Sequence, residues 1–227
     1  MRFFLTLSSI AVLSLAGFSV SAAQDISVDE LMGQIILPET MEAESAKDDA
    51  DSLKDKVDYS QMTETEERTA RLDGLFLRIK AEDNEEDAKL IAEEIMAIWI
   101  DSGSATVNLL LRRGAKAEQR GEIKHARRLY DHVTTLTPEY AEGWARSARL
   151  AFREKDYNRA LSESTQTLLI EPRQFYALVT LGSVLETLGK TDEAYEAYLE
   201  VQKLYPEMKG VKARVETLGE KVDGDFL

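Results

Sequence analysis

Small and apolar residues recur along this chain with one fixed period. Alanine returns every 34 residues, at Ala92, Ala126, Ala160 and Ala194. Proline keeps the same spacing at Pro138, Pro172 and Pro206. A fixed period of this length is typical of stacked copies of one supersecondary unit, which together bury a continuous apolar core. The pattern therefore predicts four copies of a helix–turn–helix unit, over residues 73–106, 107–140, 141–174 and 175–208.

Other positions of the repeat indicate how each pair of helices packs. A large apolar residue stands sixteen positions before each alanine, at Phe76, Leu110, Trp144 and Leu178. A small residue stands twelve positions before it in the last three copies, at Gly114, Ala148 and Gly182. We expect the small residues to allow close approach of the helices and the large ones to fill the seam. Gly121 and Gly189 fall where a first helix should end, and the prolines should end the second helices.

These positions resemble the tetratricopeptide repeat (TPR), a 34-residue helix–turn–helix unit. The best copy carries the family's residues at Leu178, Leu181, Gly182, Leu185, Ala194, Tyr198 and Pro206. The second copy departs at Arg113, and the third at Ser147, Ser164 and Thr167. The copy over 73–106 is degenerate, with Lys80 at the small position and Ser104 at the proline position. The resemblance implies an all-α fold, a right-handed α-solenoid of three to four units with three regular units over 107–208.

The C-terminal segment 209–227 has the pattern of a capping helix with a short tail. Val211, Val215 and Leu218 follow helical spacing, with polar residues between them. A repeat array needs such a helix, because the outer face of its last unit would otherwise expose apolar side chains.

The N-terminal segments differ in composition from the repeats. Residues 1–22 have a basic start, an apolar run and small residues at the end, as in a cleaved secretory signal peptide, and an uncleaved anchor is the alternative. Residues 24–72 contain fourteen Asp and Glu but five Lys and Arg, so we expect 23–72 to be an acidic and largely flexible linker. The chain has no cysteine. Together with the repeat type, export predicts a periplasmic protein whose mature form does not span the membrane.

Arginines form a further column on the first helices, which line the concave surface in the resembled family. Arg78, Arg112 and Arg146 occupy the same position of three consecutive copies, and Arg149 and Arg153 follow on the same helix face. We predict a peptide-binding groove that includes these side chains together with Asn108, Phe152 and Tyr176. These arginines would make the surface locally basic, although the chain as a whole carries a net charge of −14. Such a surface suits an acidic peptide or a C-terminal carboxylate.

Two alternatives compete with peptide binding at these arginines. They could instead form ordinary ion pairs with Glu118, Glu142 or Glu186 on neighbouring helices. The protein's own acidic segment 39–67 could also occupy the groove, since tethering gives it a high effective concentration. The residues leave both alternatives open.

Catalytic and metal-binding patterns are missing from the sequence. The only histidines, His125 and His132, lie two helical turns apart, and we expect both to be exposed to solvent. Acidic runs lack the spacing of a calcium loop, and no glycine-rich phosphate loop is present. We therefore expect no enzymatic activity, no metal and no cofactor, and the strong acidity argues against a nucleic-acid partner.

The function that these features predict is an exported adaptor or scaffold that binds a protein or peptide partner through its concave groove. The alternative is a self-assembling module of a cell-envelope complex, in which the repeats form a homo-oligomer.

Overall fold

A computed structural model describes residues 62–224 of the chain. This part is helical and contains no strand, in agreement with the predicted all-α solenoid and its capping helix. Its helices are α1 (Glu64–Ala81), α2 (Glu85–Ile100), α3 (Ala105–Gln119), α4 (Ile123–Leu136), α5 (Ala141–Arg153), α6 (Tyr157–Ile170), α7 (Phe175–Thr187), α8 (Thr191–Leu204) and α9 (Val211–Gly224). The predicted signal over 1–22, the linker over 23–61 and the tail over 225–227 lie outside the described residues. None of the described helices is long and apolar enough to cross a membrane.

Polar side chains and left-handed residues set the helix ends. Thr63 and Glu66 form a reciprocal capping box at the start of α1, and Asn84 caps α2. Gly121 and Gly189 have φ of +74° and +75°, which confirms the predicted left-handed ends of α3 and α7. The corresponding residue of the middle unit is Lys155, with φ of +63°. The left-handed position therefore keeps the 34-residue period, although only two of its three residues are glycine.

The small residues of the first helices allow the second helices to pack closely. A Cβ atom added to Gly114 would lie 2.4 Å from the Tyr130 ring, and one added to Gly182 would lie 3.0 Å from Tyr198. In the middle unit the equivalent residues are Ala148 and Ser164, both fully buried. A glycine on the first helix thus packs against a tyrosine on the second, and in the middle unit an alanine and a serine take these places. At each site a small residue leaves room for its partner. This confirms the predicted role of the small residues.

The middle unit departs from the family because its core contains a polar network. The Ser147 hydroxyl donates to Oε1 of the buried Glu163 at 2.8 Å, and Arg127 donates to the Ser147 hydroxyl at 2.8 Å. Thr167 donates to the backbone carbonyl of Glu163. Burial raises the pKa of Glu163, against the opposing effect of the neighbouring arginines. Ser147 therefore supplies a hydroxyl that bonds the buried Glu163 carboxylate, and the Thr167 hydroxyl bonds the backbone of its own helix.

The N-terminal hairpin of α1 and α2 packs against the far end of the array. Its apolar face, which includes Phe76 and Trp99, belongs to the same core cluster as Phe175 of α7 and Tyr205 after α8. The Trp99 and Phe175 rings lie 5.0 Å apart between centroids, and those of Phe175 and Tyr205 lie 5.4 Å apart. The first regular unit, α3–α4, has a separate cluster, to which the hairpin adds only Ile100 at its end.

Polar contacts complete this docking. Arg173, in the turn before α7, bonds Asp73 at 2.6 Å and lies 4.8 Å above the Phe76 ring. The Tyr140 hydroxyl donates to the Ile100 carbonyl at 2.7 Å. These contacts place the hairpin along the edge where α5 and α7 begin.

Two predictions for the N-terminal part were wrong. Residues 64–72 are helical and do not belong to a flexible linker, because their leucine Leu72 is buried in the hairpin core. The hairpin over 64–100 also does not stack on α3–α4 as a repeat unit over 73–106 would. The aromatic residues of the hairpin pack on the apolar side chains of Phe175 and Tyr205. The corresponding surface of the first regular unit carries the exposed, charged side chain of Arg113.

The last helix covers the end of the array. Val211 and Leu218 of α9 are buried in the same cluster as α7 and α8, and Arg214 bonds Glu186 of α7 at 2.7 Å. The predicted capping role of the C-terminal segment is thus seen in α9.

Replacement of Trp99 by alanine tests the docking of the hairpin. The change removes a buried ring that contacts Phe76 and Phe175, and should lower the free energy of unfolding by about 3–5 kcal/mol. Urea unfolding followed by circular dichroism measures it. Lys89→Ala, on the exposed side of the same helix, is the control and should change stability by less than about 0.5 kcal/mol. A Trp99→Ala loss no greater than that of the control would contradict the docking.

Candidate functional site

The concave surface contains a cavity between α5 and α7. Its volume is about 440 Å³, within the usual range of ligand pockets, about 300–1,000 Å³. α5 contributes Arg146, Arg149 and Phe152, and α7 contributes Tyr176, Val179 and Thr180. Met96 of α2 also lines it, so the docked hairpin forms one wall of the cavity.

Helical spacing explains why these side chains converge. Arg146 and Arg149 lie three residues apart on α5, and Tyr176 and Thr180 lie four apart on α7, so each pair shares a helix face. Both helices are first helices of their units, and the stacking places these faces side by side. The predicted groove residues Arg146, Arg149, Phe152 and Tyr176 are therefore brought together.

Arg146 is held by the buried carboxylate of Glu142. Its Nε lies 2.5 Å from Glu142 Oε1, while Glu142 Oε2 accepts a hydrogen bond from Gln174 at 2.9 Å. Burial acts to lower the pKa of Arg146, but the Glu142 carboxylate outweighs it and raises the pKa above its usual value. Arg146 therefore stays charged beside the cavity. Among residues 62–224 its two Nη groups have no hydrogen-bond partner, so they can serve an anion in the cavity.

Arg149 and Arg153 share one carboxylate of the preceding unit. Arg149 Nη2 lies 3.2 Å from Glu118 Oε2, and Arg153 Nη1 lies 2.5 Å from Glu118 Oε1. Glu118 is buried and also accepts a hydrogen bond from the Tyr130 hydroxyl at 2.9 Å. The side chains of Arg149 and Arg153 remain 46% and 51% exposed, so part of each guanidinium faces solvent.

The groove arginines form ion pairs with neighbouring carboxylates, which is one of the alternatives to peptide binding that the sequence left open. The arginines do pair with Glu118 and Glu142, and Glu186 pairs with Arg214 of the last helix. Arg149 and Arg153 share the single carboxylate of Glu118, so the guanidinium groups are not matched one to one. Glu93 of α2 also stands near the cavity, since the pKa of the Tyr176 hydroxyl is raised by burial and by the negative charges of Glu93 and Glu142.

The remaining predicted groove residues do not line the cavity. Arg78 lies on the hairpin and contacts Glu94 of α2 at 3.5 Å. Asn108 accepts from Ser102 and donates to Asp101, which fixes the turn before α3. Arg112 is exposed on α3. Arg78 does not continue a column with Arg112 and Arg146, because the hairpin that carries it is not stacked in register with the units that follow. Arg112 and Arg146 keep equivalent positions on the consecutive first helices α3 and α5.

Sequence reasoning also missed residues of the cavity. Thr180 was expected there, because it holds the repeat position of Arg146 in the next copy. Val179 follows Tyr176 by three positions, so helical spacing alone could have indicated it. Met96 could not be found in this way, because its place depends on the docking of the hairpin on the last unit.

The histidines lie on the exposed side of α4, as predicted. His125 Nδ1 lies 3.4 Å from the guanidinium of Arg128. Within residues 62–224 no cluster of His, Asp and Glu could hold a metal ion.

No protein-family model matches the chain. The sequence is 37% identical over 158 residues to a TPR repeat-containing protein of Rhizobium etli, across 68% of this chain and 76% of that protein. The structure is similar to the first TPR domain of Spaghetti bound to an HSP90 peptide, with a TM-score of 0.50, 20% identity and coverage of 52% of this chain and 93% of that chain. It is also similar to the TPR domain of Sgt2 from Aspergillus fumigatus, with a TM-score of 0.50, 19% identity and coverage of 53% and 81%.

Glu118 should make stability depend on pH. Burial acts to raise its pKa, but Arg149, Tyr130 and Arg153 outweigh burial and lower the pKa below the ordinary value of 4.5. A carboxyl group whose pKa is lower in the folded state stabilises the fold at pH values above its pKa in the unfolded chain. This stabilisation is lost as the pH falls through its pKa in the folded protein. The difference in unfolding free energy between wild type and Glu118→Gln should therefore be constant at neutral pH and shrink below about pH 4.5. Urea unfolding at a series of pH values measures it, and a difference that widens on acidification would contradict the ion pair.

Proposed function

The chain belongs to the tetratricopeptide repeat family, and from this premise we propose that it is a non-catalytic adaptor that binds a protein partner by a peptide segment in its concave groove. The observation that carries the proposal is the cavity between α5 and α7, which combines apolar walls with the charged groups of Arg146 and Arg149. TPR domains of the similar solved structures include one with a bound peptide. That likeness supports the kind of partner, while the side chains of this cavity indicate its chemistry.

The partner segment should contain an apolar side chain next to a carboxylate. Phe152, Val179 and Met96 offer an apolar contact surface, and Tyr176 is exposed at the cavity. The Nη groups of Arg146 can donate to an acidic side chain or a C-terminal carboxylate, because a guanidinium presents parallel donors to two oxygens. The volume admits a few side chains, so the groove would hold a short segment.

We also propose that the protein is exported and acts in the periplasm. The support is the sequence of residues 1–22, with its basic start, apolar run and small-residue end. Intact-mass measurement of the protein recovered from the cells that produce it tests the cleavage. The expected mass is that of a chain beginning at residue 23 or 24, and a mass that includes residues 1–22 would contradict cleavage.

Peptide binding can be tested with labelled synthetic hexapeptides. One ends in a leucine followed by two glutamates with a free carboxylate, and its analogue has glutamines and a C-terminal amide. We expect the acidic peptide to bind at least about tenfold more tightly in fluorescence anisotropy, because only it offers carboxylates to the arginines.

Variants of the cavity locate the binding. Val179→Trp fills the cavity and should abolish binding, while Arg149→Gln should weaken it about fivefold. Arg71→Gln removes an exposed arginine from α1 and should leave the affinity unchanged. Equal binding of the two peptides, or full affinity of Val179→Trp with retained helicity, would exclude this groove as the site.

A further inference from the structure

The docking of the hairpin leaves one face of the first regular unit open. In a continuous array a preceding unit would cover the side of α3 that points away from α5. Here the exposed residues of that side are Leu109, Arg113, Lys116 and Arg120. Their spacing of four, three and four residues places them in one stripe along the helix. We call this row the basic stripe.

An opposite stripe lies on the exposed side of α2. Its residues are Glu86, Leu90, Glu93 and Ala97, again separated by four, three and four positions. This row, the acidic stripe, lies on the side of α2 opposite to the buried residues Ile91, Ile95 and Trp99. It therefore faces away from the hairpin core.

Both stripes carry exposed leucine and charges without ion-pair partners. Leu90 is 58% exposed and Leu109 is 41% exposed. Among the ion pairs of the described residues, none involves Arg113, Lys116, Arg120, Glu86 or Glu93. A helix that carries the opposite charges and an apolar residue at matching positions can cover such a stripe.

From this complementarity we propose that the basic stripe of one molecule binds the acidic stripe of a second copy, with the two helices antiparallel. In that register Arg120 meets Glu86 and Arg113 meets Glu93. The aliphatic stem of Lys116 covers Leu90, as long cationic side chains do over apolar surface. Leu109 meets Ala97 at the other end, where Leu136 of α4 is also 60% exposed.

The antiparallel register is favoured over the parallel one. A parallel alignment would place Leu109 opposite Glu86 and Arg120 opposite Ala97, and would leave Lys116 with Glu93 as its single ion pair. The antiparallel alignment makes two ion pairs and two apolar contacts. It also reproduces the way in which the last helix of one unit meets the first helix of the next in a solenoid.

The interface joins two different surfaces, so it is heterologous. Each molecule keeps a free basic stripe at one end and a free acidic stripe at the other, and the contact continues head to tail. One helix pair buries less area than a stable dimer needs, so the association is weak and reversible. The basic stripe on α3 does not line the groove between α5 and α7. The acidic stripe borders that groove, because Met96 of the same helix lines the cavity and the pKa of the Tyr176 hydroxyl is raised by burial and by the nearby Glu93 carboxylate.

The ionic strength sets when the contact forms. The chains carry a net charge of −14 and repel each other at long range. At about 0.15 M salt this repulsion is screened beyond about 8 Å, whereas charges in contact still attract; about 1 M salt weakens the contact pairs as well. The association should therefore be present near physiological salt and lost at high salt.

Charge reversal tests the proposal on the full chain. Sedimentation velocity at about 0.15 M salt should show an average mass that rises with concentration above the monomer mass of 25.5 kDa, or that of the processed chain. Arg113→Glu with Arg120→Glu should lower the association constant at least about tenfold, and so should Glu86→Lys with Glu93→Lys. An equimolar mixture of these two variants, or all four changes in one chain, should restore association.

Controls separate the contact from effects on folding and total charge. Arg71→Glu with Lys212→Glu makes the same change in net charge as the arginine reversal, at exposed positions away from both stripes, and should not alter association. Circular dichroism should be unchanged in every variant, because all substituted side chains are exposed. A wild type that stays monomeric at every concentration and salt, or reversals that fail to rescue each other, would overturn the proposal. Association of wild type that survives both reversals would place the interface elsewhere.

Discussion

The packing of Trp99 against Phe175 decides where the N-terminal hairpin lies, and the other features of the molecule depend on that position. The two rings, together with Phe76 and Tyr205, join helices from opposite ends of the described chain into one apolar cluster. Because α1 and α2 are held there, Met96 reaches the concave cavity and α3 keeps an uncovered side. Arg113, which breaks the apolar pattern of the repeat, stands on that uncovered side. A leucine there would be exposed to water, so the charged residue suits an end of the array.

The charges of the groove serve packing and binding at the same time. Glu118 and Glu142 are buried, and each is held by arginines that belong to the next turn or the next unit. The Glu118 pairs tie α3 to α5, and the Glu142 pair within α5 orients Arg146 at the cavity. An arginine fixed in this way loses less conformational freedom on binding an anion than a free side chain does. The structural and functional roles of the arginines are therefore compatible.

The sequence predicted what depends on local spacing and missed what depends on distant contacts. The helix pairs, the glycine ends at Gly121 and Gly189 and the match of Gly114 to a large partner follow from a 34-residue period. The convergence of Arg146 and Tyr176 follows from the same period, because stacked units repeat their geometry. The position of the hairpin does not follow from the period, because the residues of the hairpin alone do not indicate that Phe76 packs on the last unit. Arg78 was misplaced for that reason, although its column in the sequence is regular.

The docked hairpin also changes how the array should respond to stress. In an open solenoid each unit touches only its neighbours, so the ends can fray while the middle stays folded. Here the first helices clamp the last unit, and the Asp73–Arg173 pair spans 100 positions of the chain. Loss of the last unit would expose the hairpin core, and loss of the hairpin would expose Phe175 and Tyr205. The two ends are consequently expected to unfold together, because each covers apolar side chains of the other.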